Sequence, residues 1–187
     1  MASGRPSPIG QTPSSACWLA GNAGRQERLI ALRMQRMAES PFAFLRGSAT
    51  VMAWDLAKSP SIGHNVIIDG DAHINNFGLF RMPRQDVVFD LNDFDETLVG
   101  PWEWDLKRLS ASINVAAREN DVDAAGRERA VRSACAAYRT SMAELWRMSP
   151  YDLWQMRSYA SALHMDAPTK LDAAKSKRPS SGRSSAR

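Results

Sequence analysis

The hydrophobic positions near the start of the chain repeat at the three- and four-residue spacing of an amphipathic helix. Within residues 25–38, four apolar side chains stand among basic ones: Leu29, Ile30, Leu32 and Met37. This pattern predicts a helix with one buried face. Ser40 and Pro41 interrupt it, because proline is tolerated in the first turn of a helix and not inside one. The more apolar run from Phe42 to Ala57 predicts a second helix.

Three short runs in the middle of the chain are typical of β-strands. A turn at residues 59–63 precedes the first run, Asn65–Ile68, which is apolar and partly β-branched. Phe77–Phe80 and Asp86–Leu91 are the two further candidates. Because polar loops separate these runs, the sequence predicts a small β insert between helices.

From Pro101 onward the pattern is helical. Residues 102–119 carry apolar side chains at helical spacing, with Pro101 expected in the first turn. Asp123 predicts the N-cap of the next helix. Ser149, followed by a proline and by a carboxylate three residues on, predicts the start of a last helix that reaches about Leu163. The elements together predict a mostly helical α+β fold.

Composition divides the chain into three parts. Residues 1–24 are rich in Ser, Pro, Gly and Ala and carry one charged side chain, so we expect them to be disordered. Residues 166–187 contain no aromatic side chain and are predicted to form a basic, low-complexity tail. We therefore expect one folded domain, over residues 25–165.

The net charge of +4 comes entirely from that tail, which holds six basic and two acidic residues. The rest of the chain holds 18 residues of each sign, so charge gives no reason to expect a nucleic-acid partner for the folded domain. No apolar run approaches the roughly 18 residues of a membrane span, and the N-terminus lacks a sustained apolar segment of the secretory type. Cys17 and Cys135 have no metal-ligand spacing and suit reduced thiols. These features predict a cytoplasmic protein that does not bind membranes.

The strongest chemical signal is a block of acidic residues within the neutral domain. Residues 69–105 contain only two basic side chains and nine acidic ones: Asp69, Asp71, Asp86, Asp90, Asp93, Asp95, Glu96, Glu103 and Asp105. Crowded carboxylates repel one another, so a stable fold must offset this cost. A divalent cation does so most simply, and Mg²⁺ is bound by carboxylate oxygens together with phosphate oxygens and water.

The order of these residues resembles the catalytic centre of protein-kinase-like phosphotransferases, especially the aminoglycoside and choline kinases. In GDAHINNFG an Asp ends a strand-like run and an Asn follows five residues later; a second apolar strand then leads into DLNDFD. The resemblance implies that Asp71 orients the substrate hydroxyl, that Asn76 binds metal, and that Asp93 is the principal metal ligand. Asp90 and Asp95 are the alternatives for this last role.

Three further residues belong to the same interpretation. The stretch GPWEWDL falls where those kinases begin a helix whose Asp braces the catalytic loop, which implies that role for Asp105. Arg46 lies in an apolar run and demands a partner, either a ligand phosphate or the acidic block. His73 is a candidate for cofactor binding or for a general base, although ring hydrogen bonds that orient its neighbours are the more common role of such a histidine.

Four long segments resemble a bacterial family known as domain of unknown function 2252. They are SPFAFLRG at 40–47, GDAHINNFG at 70–78, FDLNDFDET at 89–97 and GPWEWDLKRL at 100–109. The likeness extends over about residues 27–165. It implies a family and no activity, so function is inferred from the kinase-like pattern.

The resemblance to kinases implies Mg²⁺-dependent transfer of the γ-phosphoryl group of a nucleotide, with ATP as the hypothesis, to a hydroxyl of a small-molecule or unknown substrate. The chain, however, contains neither GxGxxG nor GxxxxGK[ST], the phosphate loops of kinases and nucleotide hydrolases. We therefore expect a truncated catalytic lobe with little activity by itself. The alternative is a non-catalytic interaction domain whose acidic pocket binds a cation or a basic partner.

Overall fold

The computed structural model of the protein describes Cys17, residues 21–81 and residues 87–156. The disorder expected for residues 1–24 falls mainly outside this set, and the basic tail at 166–187 lies entirely outside it. Within the described part, residues 21–24 form the end of a helix and a turn. The architecture is mixed α+β and mostly helical, as the sequence predicted.

Three helices follow this turn: α1 (Glu27–Met37), α2 (Pro41–Gly47) and α3 (Ala49–Leu56). The prediction of a single helix from Phe42 to Ala57 is wrong, because the helix breaks at Ser48, where φ is −121° and ψ is 35°. The buried Ser48 hydroxyl donates a hydrogen bond to the carbonyl of Leu45 at 3.1 Å, and the break leaves that carbonyl accessible to a side chain from a later helix.

The β insert consists of two separate two-stranded antiparallel sheets. β1 (Asn65–Ile68) pairs with β4 (Leu98–Pro101), and β2 (Phe77–Arg81) pairs with β3 (Val87–Leu91). The three predicted strands are confirmed. The fourth, β4, was not predicted, and Pro101 ends this strand opposite Asn65, although the sequence placed it in the first turn of a helix. Four residues that include a glycine and a proline carry too little pattern to be recognised as a strand.

Three helices complete the described part: α4 (Glu103–Glu119), α5 (Ala124–Leu145) and α6 (Pro150–Gln155). Asp123 caps α5 by accepting from the Gly126 amide at 2.7 Å, and Ser149 caps α6 by accepting from the Asp152 amide at 3.1 Å, so both predicted caps are confirmed. The prediction that the last helix reaches Leu163 is wrong, because Met156 leaves the helix with ψ at 135°. Within the described residues no helix is both long and apolar enough to cross a membrane.

Helix α4 lies at the centre of the fold, in contact with α2, α3, α5 and the short 3₁₀ turn Ile74–Asn76. The interior around it is unusually polar. Buried apolar side chains include Met37, Val51, Ile68, Ala72 and Val88; buried polar or charged ones are Ser48, Asp69, His73, Asn76, Glu103, Arg108 and Ser112. Hydrogen bonds and charge pairing therefore contribute to the position of these elements alongside apolar packing.

Gly70, directly after β1, meets two constraints at once. Its φ of 82° is a conformation that side chains other than glycine rarely adopt. A Cβ atom at this position would also overlap the carbonyl oxygen of Glu96. Gly70 thus lets the segment after β1 approach the segment before β4.

We predict that Gly70→Ala will destabilise the fold far more than Gly63→Ala. Gly63 has nearly the same φ, 86°, but nothing lies within 4 Å of a Cβ built there, so its substitution costs only the backbone term, about 1 kcal/mol. Overlap with Glu96 should add about 2 kcal/mol for Gly70→Ala. Urea unfolding of the two variants measures the difference, and equal losses would contradict the close approach.

Candidate functional site

The two predicted functional loops meet because the β2–β3 hairpin returns the chain to its starting point. Asp69 to Asn76 connects β1 to β2, and the residues after β3 begin at Asn92. The Asn92 amide donates to the carbonyl of Asn76 at 2.8 Å. The start and the end of the hairpin are therefore joined, and the loop of Asp71 lies beside the loop of Asp93.

Asn76 connects the two loops through its side chain as well. This buried amide, 5% exposed, donates from Nδ2 to the carbonyl of Asp71 and to the carbonyl of Asp93, each at 3.3 Å. The Asp93 carboxylate in turn accepts from the Asp95 amide at 3.1 Å. One side chain thereby sets the relative position of the predicted catalytic loop and the predicted metal-binding loop.

Asp71 forms an ion pair with a residue that the sequence analysis missed. Arg108, 2% exposed on α4, donates from its guanidinium to Asp71 Oδ1 and, at 2.8 Å, to the carbonyl of Leu45. Burial raises the pKa of Asp71 from 3.8 to about 6, although Arg108 acts in the opposite direction. In the sequence, Arg108 is one of two adjacent basic residues, with Lys107, between the apolar Leu106 and Leu109 of a helix.

His73 lies on the other side of Asp71. Its Nε2 is 3.8 Å from Asp71 Oδ2, and its ring meets that of Phe42 edge-on at 6.3 Å between centroids. Burial, followed by the charges of Arg108 and Arg46, lowers the pKa of His73 to about 4. The imidazole is therefore neutral at pH 7, and within the described residues its buried Nδ1 has no hydrogen-bond partner.

Asp105 lies beneath the loop, in the position that the sequence analysis assigned to a brace. Its two carboxylate oxygens accept from the amides of Asp69 at 2.8 Å and Gly70 at 2.9 Å. Burial, and then the charge of Asp105, raise the pKa of Asp69, whose Oδ1 is buried and has no partner among the described residues. Helix α4 thus holds the loop at two points, through Asp105 and through Arg108.

These loops line a cavity of about 820 Å³. We call its carboxylate side the acidic wall, formed by Asp71, Asp93, Asp95 and Glu96. Of the predicted site residues, the cavity brings together Arg46, Asp71, His73, Asn76, Asp93 and Asp95. Asp90 is not among the lining residues, because it projects from β3 opposite Gly78 and is exposed.

The oxygen atoms of Asp93 and of the neighbouring Asn76 suit a metal ion that binds together with a phosphate ligand. Among the described residues, no three His, Cys, Asp or Glu side chains are close enough to ligate one ion together. Asp93 and Asn76 nevertheless supply the hard oxygen atoms that Mg²⁺ prefers, and Mg²⁺ commonly takes only one or two carboxylates and completes its shell with phosphates and water. These residues fit Mg²⁺ bound to a phosphate ligand, and they do not fit a metal held by protein side chains alone.

Comparison with known protein families identifies the chain. A family model described as an uncharacterised protein conserved in bacteria, domain of unknown function 2252, matches residues 25–185. The match covers most of the chain, which therefore belongs to this family. Comparisons with curated proteins and with solved structures gave no match.

We predict that Asp105→Asn will lower the free energy of unfolding by about 2–4 kcal/mol, because one oxygen becomes an NH₂ group that faces a backbone N–H and leaves it unsatisfied. Asp123→Asn is the matched control: Asp123 accepts one bond, which Asn also accepts, so its loss should stay within about 0.5 kcal/mol. Chemical denaturation measures both values. A loss of less than about 1 kcal/mol for Asp105→Asn would refute the brace.

The shifted pKa values of Asp71 and His73 predict opposite pH dependences. The folded state binds the Asp71 proton more tightly than the unfolded state, so the stability from Asp71 is present at low pH and is lost as pH rises towards 6. For His73 the unfolded state binds the proton more tightly, so stability is lost as pH falls from 6.5 towards 4.

The measurement is the melting temperature of Asp71→Asn and of His73→Asn, each minus that of the wild type, between pH 4 and 6.5. The difference for Asp71→Asn should rise with pH, and the difference for His73→Asn should fall. The result to compare is the sign of each slope of the melting-temperature difference against pH, because both variants also lose contacts at every pH. Slopes of the same sign would contradict the assigned environments.

Proposed function

We propose that the protein is part of a kinase-like, Mg²⁺-dependent phosphotransferase that transfers the γ-phosphoryl group of ATP to a hydroxyl. The observation that carries this proposal is the Asn76 amide, which joins the main chain of Asp71 to that of Asp93 at 3.3 Å on each side. A catalytic Asp, an Asn five residues later and a second Asp after a strand thus share one cavity. That shared cavity is what phosphoryl transfer requires of these groups.

Each residue then has a definite role. Asp71 would orient the acceptor hydroxyl through Oδ2, since Oδ1 is engaged by Arg108. Asp93 and Asn76 would hold the metal, with Asp95 beside them. The Mg²⁺ ion would neutralise phosphate charge as the phosphoryl group moves. Neutral His73 would position Asp71 and would remain uncharged near pH 7.

A second candidate function is binding without catalysis. The buried ion pair between Asp71 and Arg108 gives Asp71 a structural role that does not require any reaction. The sequence also contains no Gly-rich phosphate loop, and no lysine of the described part of the chain lines the cavity. An acidic pocket that binds a cation or a basic partner would have the same geometry.

We further expect the protein to work in the cytoplasm, on a small hydroxyl-bearing substrate, without nucleic acid or membrane. Two observations favour a reducing compartment: both Cys17 and Cys135 are free thiols. The catalytic role would still require a nucleotide, so the first question is whether ATP binds.

We predict saturable binding of Mg²⁺ with ATP by isothermal titration calorimetry, weakened about tenfold or more in Asp93→Asn, because a metal-bound carboxylate is replaced by a neutral amide. The matched control is Asp90→Asn, since Asp90 is exposed and lies outside the cavity lining. This control should bind as the wild type does.

Three outcomes would contradict the proposal or a part of it. Absence of saturable Mg²⁺–ATP binding would remove the nucleotide site. Loss of binding in Asp90→Asn with normal binding in Asp93→Asn would overturn the assignment of the metal ligand. Binding without any phosphoryl transfer to a hydroxyl would favour the non-catalytic function.

A further inference from the structure

The cavity is also lined by basic side chains, although Glu39 is among its lining residues as well. One face of α1 and its N-terminal approach contributes Arg25, Leu29, Leu32, Arg33 and Arg36 at helical spacing. Arg46 from α2 lines the cavity as well. We call Arg25, Arg33, Arg36 and Arg46 the arginine wall. Of these four residues, the sequence pattern marks only Arg46 as a phosphate candidate.

The two charged walls do not neutralise each other. Within the described residues, no guanidinium nitrogen of the arginine wall lies within the 4.0 Å ion-pair distance of a carboxylate oxygen. The pKa of Arg33 is lowered by burial and then by the neighbouring charge of Arg25, while Glu96 acts in the opposite direction. Among the described residues, arginines and carboxylates therefore line one cavity of about 820 Å³ without forming ion pairs with each other.

The arginine wall also has a fixed position. Arg33 donates to Asn22 Oδ1 at 2.7 Å and to the carbonyl of Gly47, so it ties α1 to the end of α2. Arg36 and Arg46 are exposed to the cavity and make no such bonds to main-chain carbonyls within the described residues. These two guanidinium groups are therefore free to engage a ligand.

From these observations we propose that the arginine wall binds the polyphosphate group of an organic phosphate ligand, with Arg36 and Arg46 as the principal contacts. Arginine presents several N–H donors in a planar fork that matches phosphate oxygens. The cavity is within the size range of small-molecule sites. Leu29 and Leu32, 44% and 41% exposed between the arginines, offer an apolar surface to the organic part. This wall would take the place of the missing Gly-rich loop and lysine.

The test is calorimetric titration of the whole chain with two probes, tripolyphosphate without Mg²⁺ and ATP with Mg²⁺. In the double variant Arg36→Gln/Arg46→Gln, affinity for both probes should fall about tenfold or more for each arginine, because each loses charge-assisted hydrogen bonds. Arg118→Gln is the matched control, since Arg118 is an exposed arginine of α4 outside the cavity lining. Circular dichroism melting confirms that the variants fold.

The inference deepens the proposed function, and the two can fail separately. Tripolyphosphate binding that is lost in the double variant and unchanged in Asp93→Asn supports the arginine wall, even if ATP binding proves independent of Mg²⁺. ATP binding that needs Asp93 but is unchanged in the double variant overturns the arginine wall and retains the metal site. Tripolyphosphate binding that persists in the double variant, or fails in the wild type, also overturns it. With both probes titrated without Mg²⁺, tighter binding of ATP than of tripolyphosphate supports the contribution of the leucines, and equal affinity contradicts it.

Discussion

The buried guanidinium of Arg108 is the interaction on which the rest of the site depends. It contacts the Asp71 carboxylate, the carbonyl of Leu45 and the sulfur of Met52, so one side chain of α4 joins the loop after β1 to α2 and α3. A buried charge is tolerated only when it is paired and hydrogen-bonded. The break at Ser48 leaves the Leu45 carbonyl accessible to Arg108, and the path of the loop after β1 brings the Asp71 carboxylate to it. Neither feature is explained by apolar packing.

The charges that line the cavity are paired differently from the buried charge of Arg108. Within the described residues, the buried Arg108 pairs with Asp71, whereas the arginines that line the cavity form no ion pair with a carboxylate. Neighbouring arginines repel one another, as do neighbouring carboxylates, and a ligand that carries both a cation and phosphate groups would reduce this repulsion. A protein built only for stability would more simply close the gap with ion pairs or apolar side chains.

Local features were predictable from the sequence, and features set by a distant partner were not. Asp123 and Ser149 cap their helices through residues three positions away, so a short segment contains the whole interaction. The break at Ser48 and the pairing of β4 with β1 depend on chain more than 30 residues away. Asp105 was recognisable because a family pattern marks it. The arginines of α1 were not recognisable, because basic residues are equally expected on a helix face that is only exposed to solvent.

The hairpin formed by β2 and β3 has a consequence for the search for related proteins. Its two ends are joined between Asn76 and Asn92, so the loops they carry remain adjacent however long the strands between them are. The number of residues between the GDAHINN and DFD motifs is therefore not fixed by the chemistry of the site. A search pattern that fixes this interval would reject relatives with a longer or shorter hairpin and an identical site. The intervals that the chemistry does fix lie within each loop, such as the five residues from Asp71 to Asn76.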